Sequence, residues 1–115
     1  MKYKFLWNVA FLPTVVTFVA IQFMEDNVPM HYDYLGNIDR WGSKYESFIL
    51  PIIIIITTVF WMLYLIYFNN KQRMETDEII IKEAQMIERA LYYLAIGMAI
   101  ILGLMHYFYI YLAII

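Results

Sequence analysis

Three long runs of apolar residues dominate the chain. They cover Phe5 to Met24, Phe48 to Phe68 and Ala90 to Ile115, and none of them contains a formally charged side chain. A helix needs about 20 apolar residues to cross the hydrocarbon core of a bilayer. The runs are continuous, without the alternation of a transmembrane β-barrel. The pattern therefore predicts an all-α integral membrane protein with three transmembrane helices, at about residues 5–24, 48–68 and 90–115.

Lysine and arginine are distributed unevenly between the segments outside these runs. Six of the eight lie before the first span or between the second and third, whereas Arg40 and Lys44 lie between the first and second. Cytoplasmic segments of membrane proteins carry the excess of basic residues. We therefore predict that the N-terminus and residues 69–89 lie in the cytoplasm. Residues 25–47 and the C-terminus then lie outside the cell.

Residues 69–89 are expected to end one helix and begin the next. The pair Asn69-Asn70 is typical of a helix end. From about Asp77 onwards, apolar residues recur at helical spacing, at Ile80, Ala84, Ile87 and Leu91. This spacing predicts an amphipathic helical stem that continues into the third span. The stem either packs on the second span or the membrane surface, or it docks a cytoplasmic partner.

Residues 25–47 have the features of an ordered extracellular cap. Pro29 favours an extended conformation in the residue before it. Gly36 begins a turn signal and can adopt a positive φ. Asp39 is expected to accept a hydrogen bond from its own backbone two residues on, and residues 42–43 predict a second turn before the second span.

The polar and aromatic side chains of this cap form the candidate binding site. They are Pro29, His31, Asp33, Asp39, Arg40, Trp41 and Lys44. The spacing of the histidine and aspartates matches no known closed metal site. We therefore predict no metal, and expect the aspartates to cap turns and His31 to bond a backbone carbonyl. Asp39 and Arg40 are expected to form a solvated ion pair of small energetic value.

The third span contributes one further candidate and one packing signal. Apart from the tyrosines, His106 is the only ionisable side chain within the apolar runs. Ionisable groups inside a membrane are candidates for function, although a histidine near the outer interface can also simply reach water. Ala95, Ala99 and Gly103 form a stripe of small residues, which lets helices approach closely within the chain or in a homo-oligomer.

The loop sequence resembles that of a known family. Its pattern is Pro-x-His-Tyr-Asp-x-x-Gly-x-x-Asp-Arg-Trp-Gly-Ser-Lys from Pro29 to Lys44, with Pro51 at the opening of the second span. This pattern is similar to the short domain that opens the SdpI-like family of bacterial membrane proteins. The resemblance covers about residues 1–70. The named member of that family is an immunity protein, which protects a Bacillus-type producer from its own secreted, membrane-damaging peptide toxin. It also holds an autorepressor at the membrane.

The resemblance implies a small bacterial cell-membrane protein of the immunity or receptor type, which binds or neutralises a secreted membrane-active peptide. Its expected partners are the lipid bilayer, such a peptide, and a cytoplasmic regulator or a second copy of the chain. The alternative is an accessory subunit of a transporter or membrane signalling complex. Since the sequence shows no nucleophile–base set, we predict neither an enzyme nor a cofactor. The net charge of −2 argues against a nucleic-acid partner.

Overall fold

The computed structural model describes residues 2–115 as a mostly helical chain with one small β-hairpin. The elements in chain order are helix α1 (Lys4–Ala20), a 3-10 turn (Ile21–Phe23), strand β1 (Asn27–Tyr32), strand β2 (Ile38–Ser43), a second 3-10 turn (Lys44–Phe48), helix α2 (Ile49–Met74) and helix α3 (Glu78–Ile114). The two antiparallel strands correct the prediction of an all-α fold. Residues 25–47 are called the hairpin segment below.

All three predicted spans are helices that are long and apolar enough to cross a membrane. Their outward faces carry large apolar side chains: Phe18, Phe60 and Leu104 are each about 60% exposed. Such faces are unfavourable in water and are suited to lipid. The architecture is therefore compatible with a multi-pass membrane protein.

Helix α2 does not end at Asn69-Asn70, as the sequence predicts, but continues to Met74. Lys71 and Arg73 lie in its last turn, where positive charge interacts favourably with the helix dipole. Gln72 also donates a hydrogen bond to Glu88 of α3. Contacts with another helix therefore stabilise a turn that the local sequence disfavours.

The small-residue stripe of α3 faces the other helices, as predicted. Ala95, Ala99 and Gly103 are all buried. A Cβ placed on Gly103 would lie 3.7 Å from Pro13 Cγ of α1, an ordinary van der Waals separation. The stripe therefore allows the backbone of α3 to pass close to the proline of α1.

The helical stem at the start of α3 begins where the sequence predicts. The Asp77 side chain caps the helix by accepting a hydrogen bond from Ile79 N at 2.9 Å. Ala84 is buried, whereas Ile87 is 43% exposed and Glu88 takes the buried position beside it. The stem packs against the other helices, and its inward face carries a carboxylate.

Candidate functional site

The turn of the hairpin is built by Asp33 and Gly36. One Asp33 carboxylate oxygen accepts hydrogen bonds from Leu35 N and Asn37 N, each at 2.9 Å. Gly36 has a φ of +86°, which confirms the positive φ predicted for it. The side chain that bonds its neighbouring backbone is therefore Asp33, in agreement with its expected capping role.

Asp39 does not bond its own backbone, and His31 does not bond a carbonyl, so both of these predictions are wrong. The two side chains bond each other instead, with 2.6 Å between His31 Nδ1 and Asp39 Oδ1. They meet because pairing of β1 with β2 brings the ends of the two strands together. Both side chains are solvent-exposed, at 66% and 45%.

Arg40 pairs with Glu46 and not with Asp39, which corrects a further prediction. Arg40 Nη2 lies 3.1 Å from Glu46 Oε1, and the other Glu46 oxygen accepts from Ser43 N at 2.9 Å. Ser43 Oγ in turn accepts from Tyr45 N at 3.2 Å. This reciprocal capping starts the 3-10 turn Lys44–Phe48, where the sequence suggested only a turn at residues 42–43.

Gly42 leaves room for two side chains that pack against β2. A Cβ on Gly42 would collide with the Glu46 carboxylate and the Met30 side chain. Glycine therefore lets the cap of the 3-10 turn close over β2. The sequence pattern shows a glycine here, but only the folded hairpin shows which groups need the room.

The remaining candidates of the hairpin segment differ in exposure. Lys44 joins the start of the segment to its end, since its backbone N donates to Asp26 O at 2.9 Å and its Nζ lies 3.7 Å from Asp26 Oδ1. Trp41 is 58% exposed and stands opposite Pro29 in the strand register. Lys44 thus belongs to the framework of the segment and Trp41 to its accessible surface, and Pro29 is half-buried within β1.

His106 lies inside the helical bundle, apart from the seven candidates of the hairpin segment. It is 1% exposed, so the interpretation that it reaches water is wrong. Its Nε2 lies 2.7 Å from Thr17 Oγ1, and Thr17 Oγ1 donates to Pro13 O at 2.6 Å. Because a hydroxyl has a single proton, His106 Nε2–H then donates to Thr17. The histidine joins α3 to α1.

Tyr109 connects this buried region to the hairpin segment. Its ring stacks on His106 with 6.0 Å between ring centroids. Its hydroxyl lies 3.2 Å from Ser47 Oγ and donates to Met30 Sδ at 3.3 Å. The hairpin segment is thereby held on the end of α3, so that its accessible side chains sit on a supported framework.

A second polar cluster, which the sequence analysis missed, lies at the opposite end of the bundle. Glu88 is 5% exposed, and its carboxylate lies 2.7 Å from Lys2 Nζ. It also accepts hydrogen bonds from the Tyr3 hydroxyl and the Gln72 amide. One signal was available: Glu88 follows Ala84 by one helical turn and precedes Ala95 by two, on the buried face of α3.

Neither end of the bundle holds a recognisable metal centre. Within residues 2–115, no three histidine, aspartate or glutamate side chains converge as metal ligands would. The chemistry of both clusters is instead that of ion pairs and hydrogen bonds.

Comparison with known protein families gives a match for one segment of the chain. Residues 9–55 match the family model described as "Domain of unknown function (DUF1648)", and this stretch comprises most of α1, the hairpin segment and the beginning of α2. No curated protein and no solved structure matches the chain. The match thus lies over the part of the chain that forms the hairpin segment and the two helix ends that flank it.

Proposed function

We propose that this chain is a small bacterial membrane protein of the immunity or receptor type, whose hairpin segment faces outward and binds a secreted, cationic, membrane-active peptide. The proposal extends the resemblance to the SdpI-like family, which lies in the same residues as the domain match. The surface of the hairpin segment supplies the direct argument.

That surface combines negative charge with exposed aromatic side chains. Residues 25–47 carry five acidic and two basic side chains, a net charge of −3 with His31 neutral. Tyr34 at the tip is 95% exposed, and Trp41 and Tyr45 are each about 60% exposed. A cationic amphipathic peptide complements both properties, since charge steers its approach and aromatic rings contribute contact area at low entropic cost.

The internal bonding of the hairpin segment supports the same interpretation. Asp33 holds the turn, Glu46 holds Arg40, and Asp26 holds Lys44. The framework therefore does not depend on Trp41 or Tyr34. Side chains of this kind, displayed on a supported loop, are where binding usually occurs.

The proposal is tested by protection of bacteria that produce the chain against a secreted cationic membrane-active peptide. We expect Trp41→Ala and Asp39→Asn to reduce protection while membrane abundance and melting temperature stay at the wild-type values. Tyr64→Ala is the matched control, since Tyr64 is a similarly exposed aromatic residue, at 60%, on α2 outside the hairpin segment. It should retain full protection.

Two outcomes would contradict the proposal. If each damaging substitution in residues 29–44 also lowers abundance, the hairpin segment is purely structural. If the wild-type chain protects against none of a panel of such peptides, the accessory-subunit hypothesis takes its place, and co-purification of a larger complex from membranes would test it.

A further inference from the structure

The cluster around Glu88 borders an open cavity at the end of the bundle opposite the hairpin segment. The cavity has a volume of about 350 Å³, and its polar lining comprises Lys2, Tyr3, Gln72, Gln85, Glu88 and Arg89. Three parts of the chain contribute to it: the two residues that precede α1, the last turn of α2 and the stem of α3. Nothing in the proposed peptide site uses these residues.

The position of the cavity along α3 indicates what surrounds it. Tyr109, which holds the hairpin segment, and Glu88 are 21 residues apart on the same helix. At 1.5 Å per residue this is about 31 Å, close to the roughly 30 Å thickness of a hydrocarbon core. If the helices cross a bilayer as proposed, the cavity lies at the level of the lipid headgroups on the side away from the hairpin segment.

Glu88 organises the wall of the cavity. Its carboxylate forms an ion pair with Lys2, at 2.7 Å from Nζ, and accepts hydrogen bonds from the Tyr3 hydroxyl and the Gln72 amide. A buried, ionised carboxylate requires several donors of this kind. Burial raises the pKa of Tyr3, and its hydrogen bond to Glu88 raises it further. Tyr3 therefore remains a donor, and the carboxylate keeps Lys2 at the edge of the cavity.

Arg89 gives the cavity its unpaired charge. Among residues 2–115, no carboxylate lies within ion-pairing distance of Arg89. Lys2 and Arg89 against Glu88 leave the lining with a net charge of +1, and the two glutamines add neutral N–H donors. An arginine with adjoining N–H donors is suited to phosphate, whose oxygens accept two parallel bonds from a guanidinium group.

We propose that this cavity binds the phosphate ester of a lipid headgroup. Arg89 and Lys2 neutralise the phosphate, Gln85 donates to it, and Glu88 acts as a positioning residue through Lys2. Basic pockets between membrane helices recognise anionic headgroups in this way. The inference rests on the proposed membrane insertion and is independent of the proposed peptide ligand.

The test measures the melting temperature of the purified full chain in a neutral detergent. Short-chain phosphatidylglycerol should raise it in a concentration-dependent manner, because a ligand of the folded state stabilises that state. A diacylglycerol with the same acyl chains and glycerol 3-phosphate alone should not. Arg89→Gln should weaken the apparent affinity by about tenfold, the loss expected for about 1.4 kcal/mol of charge-assisted bonding.

The matched control is Lys82→Gln, which removes an exposed positive charge of the same stem that does not line the cavity. It should bind the lipid as the wild type does. An equal loss in both variants would overturn the proposal in favour of unspecific surface charge. A shift with diacylglycerol would overturn the headgroup assignment, and a shift with glycerol 3-phosphate would overturn the lipid source. Loss of peptide protection without loss of the lipid effect would leave this inference standing.

Discussion

The turn between the two strands depends on the backbone of one residue. Gly36 has a φ of +86° and no atom within 4 Å of the position where a Cβ would lie. Any cost of a side chain there comes from the backbone conformation and not from a collision. In this it differs from Gly42, where a Cβ would meet neighbouring atoms.

We expect Gly36→Ala to lower the free energy of unfolding by about 1–2 kcal/mol, the usual cost of a left-handed conformation in a residue with a Cβ. Gly97→Ala is the control, because Gly97 also has open space around it but lies within helix α3. It should be neutral or stabilising by up to about 1 kcal/mol. Denaturation of the purified variants in detergent measures both values, and equal effects would show that φ is not the cause.

The contact between α1 and α3 is governed by the smallest side chains of the bundle. Gly103 faces Pro13, and the space between them is enough for a methyl group at ordinary contact distance. Here the buried Thr17 hydroxyl donates to the Pro13 carbonyl and meets His106 of α3.

The contact distance predicts different effects on stability for small and large substitutions at Gly103. Gly103→Ala should fold with little change, whereas Gly103→Leu should overfill the contact and lower stability by about 1–3 kcal/mol. Gly97→Leu is the matched control on the same helix, since its side chain would enter open space. Thermal unfolding of the three variants decides the matter, and an unaffected Gly103→Leu variant would mean that the two helices separate at no cost.

Seen as a whole, the molecule is a slab of 58 × 29 × 15 Å with a different polar cluster at each end. The hairpin segment carries a net charge of −3 and two basic residues, whereas six of the eight lysines and arginines of the chain lie towards the other end. Basic residues remain on the cytoplasmic side during insertion. This asymmetry supports an orientation with the hairpin segment outside.

A reporter that is active only outside the cell, fused after Ile115, tests this orientation. We expect it to be active, because three crossings that start from a cytoplasmic N-terminus would leave the end of the third helix outside the cell. The same reporter fused after Thr76, between α2 and α3, should be inactive. The reverse result for this pair of fusions would show that the chain is inserted in the opposite direction.

Several features follow from local sequence alone. The three long helices are predictable because every backbone group in lipid must be bonded within its own segment, so an apolar run long enough to cross a membrane favours a helix. The positive φ of Gly36 and the inward face of the Ala95, Ala99 and Gly103 stripe are likewise local, since each depends on residue type or helical spacing. The turn role of Asp33 is local as well, because its carboxylate bonds backbone N–H groups two and four residues on.

Other features require partners that are distant in the chain. Glu88 is buried because Tyr3, 85 residues away, donates to its carboxylate, and α2 passes Asn69-Asn70 because its last turn meets that same carboxylate. His106 is buried between helices, where its ring nitrogen bonds the Thr17 hydroxyl of α1. Asp39 bonds the His31 side chain on the neighbouring strand and not its own backbone. In each case a side chain with several possible local partners takes the one that packing of the helices and pairing of the strands brings within reach. The hydrogen-bond partner of such a side chain depends on which segments pack together, and the spacing of residues along one segment does not predict that packing.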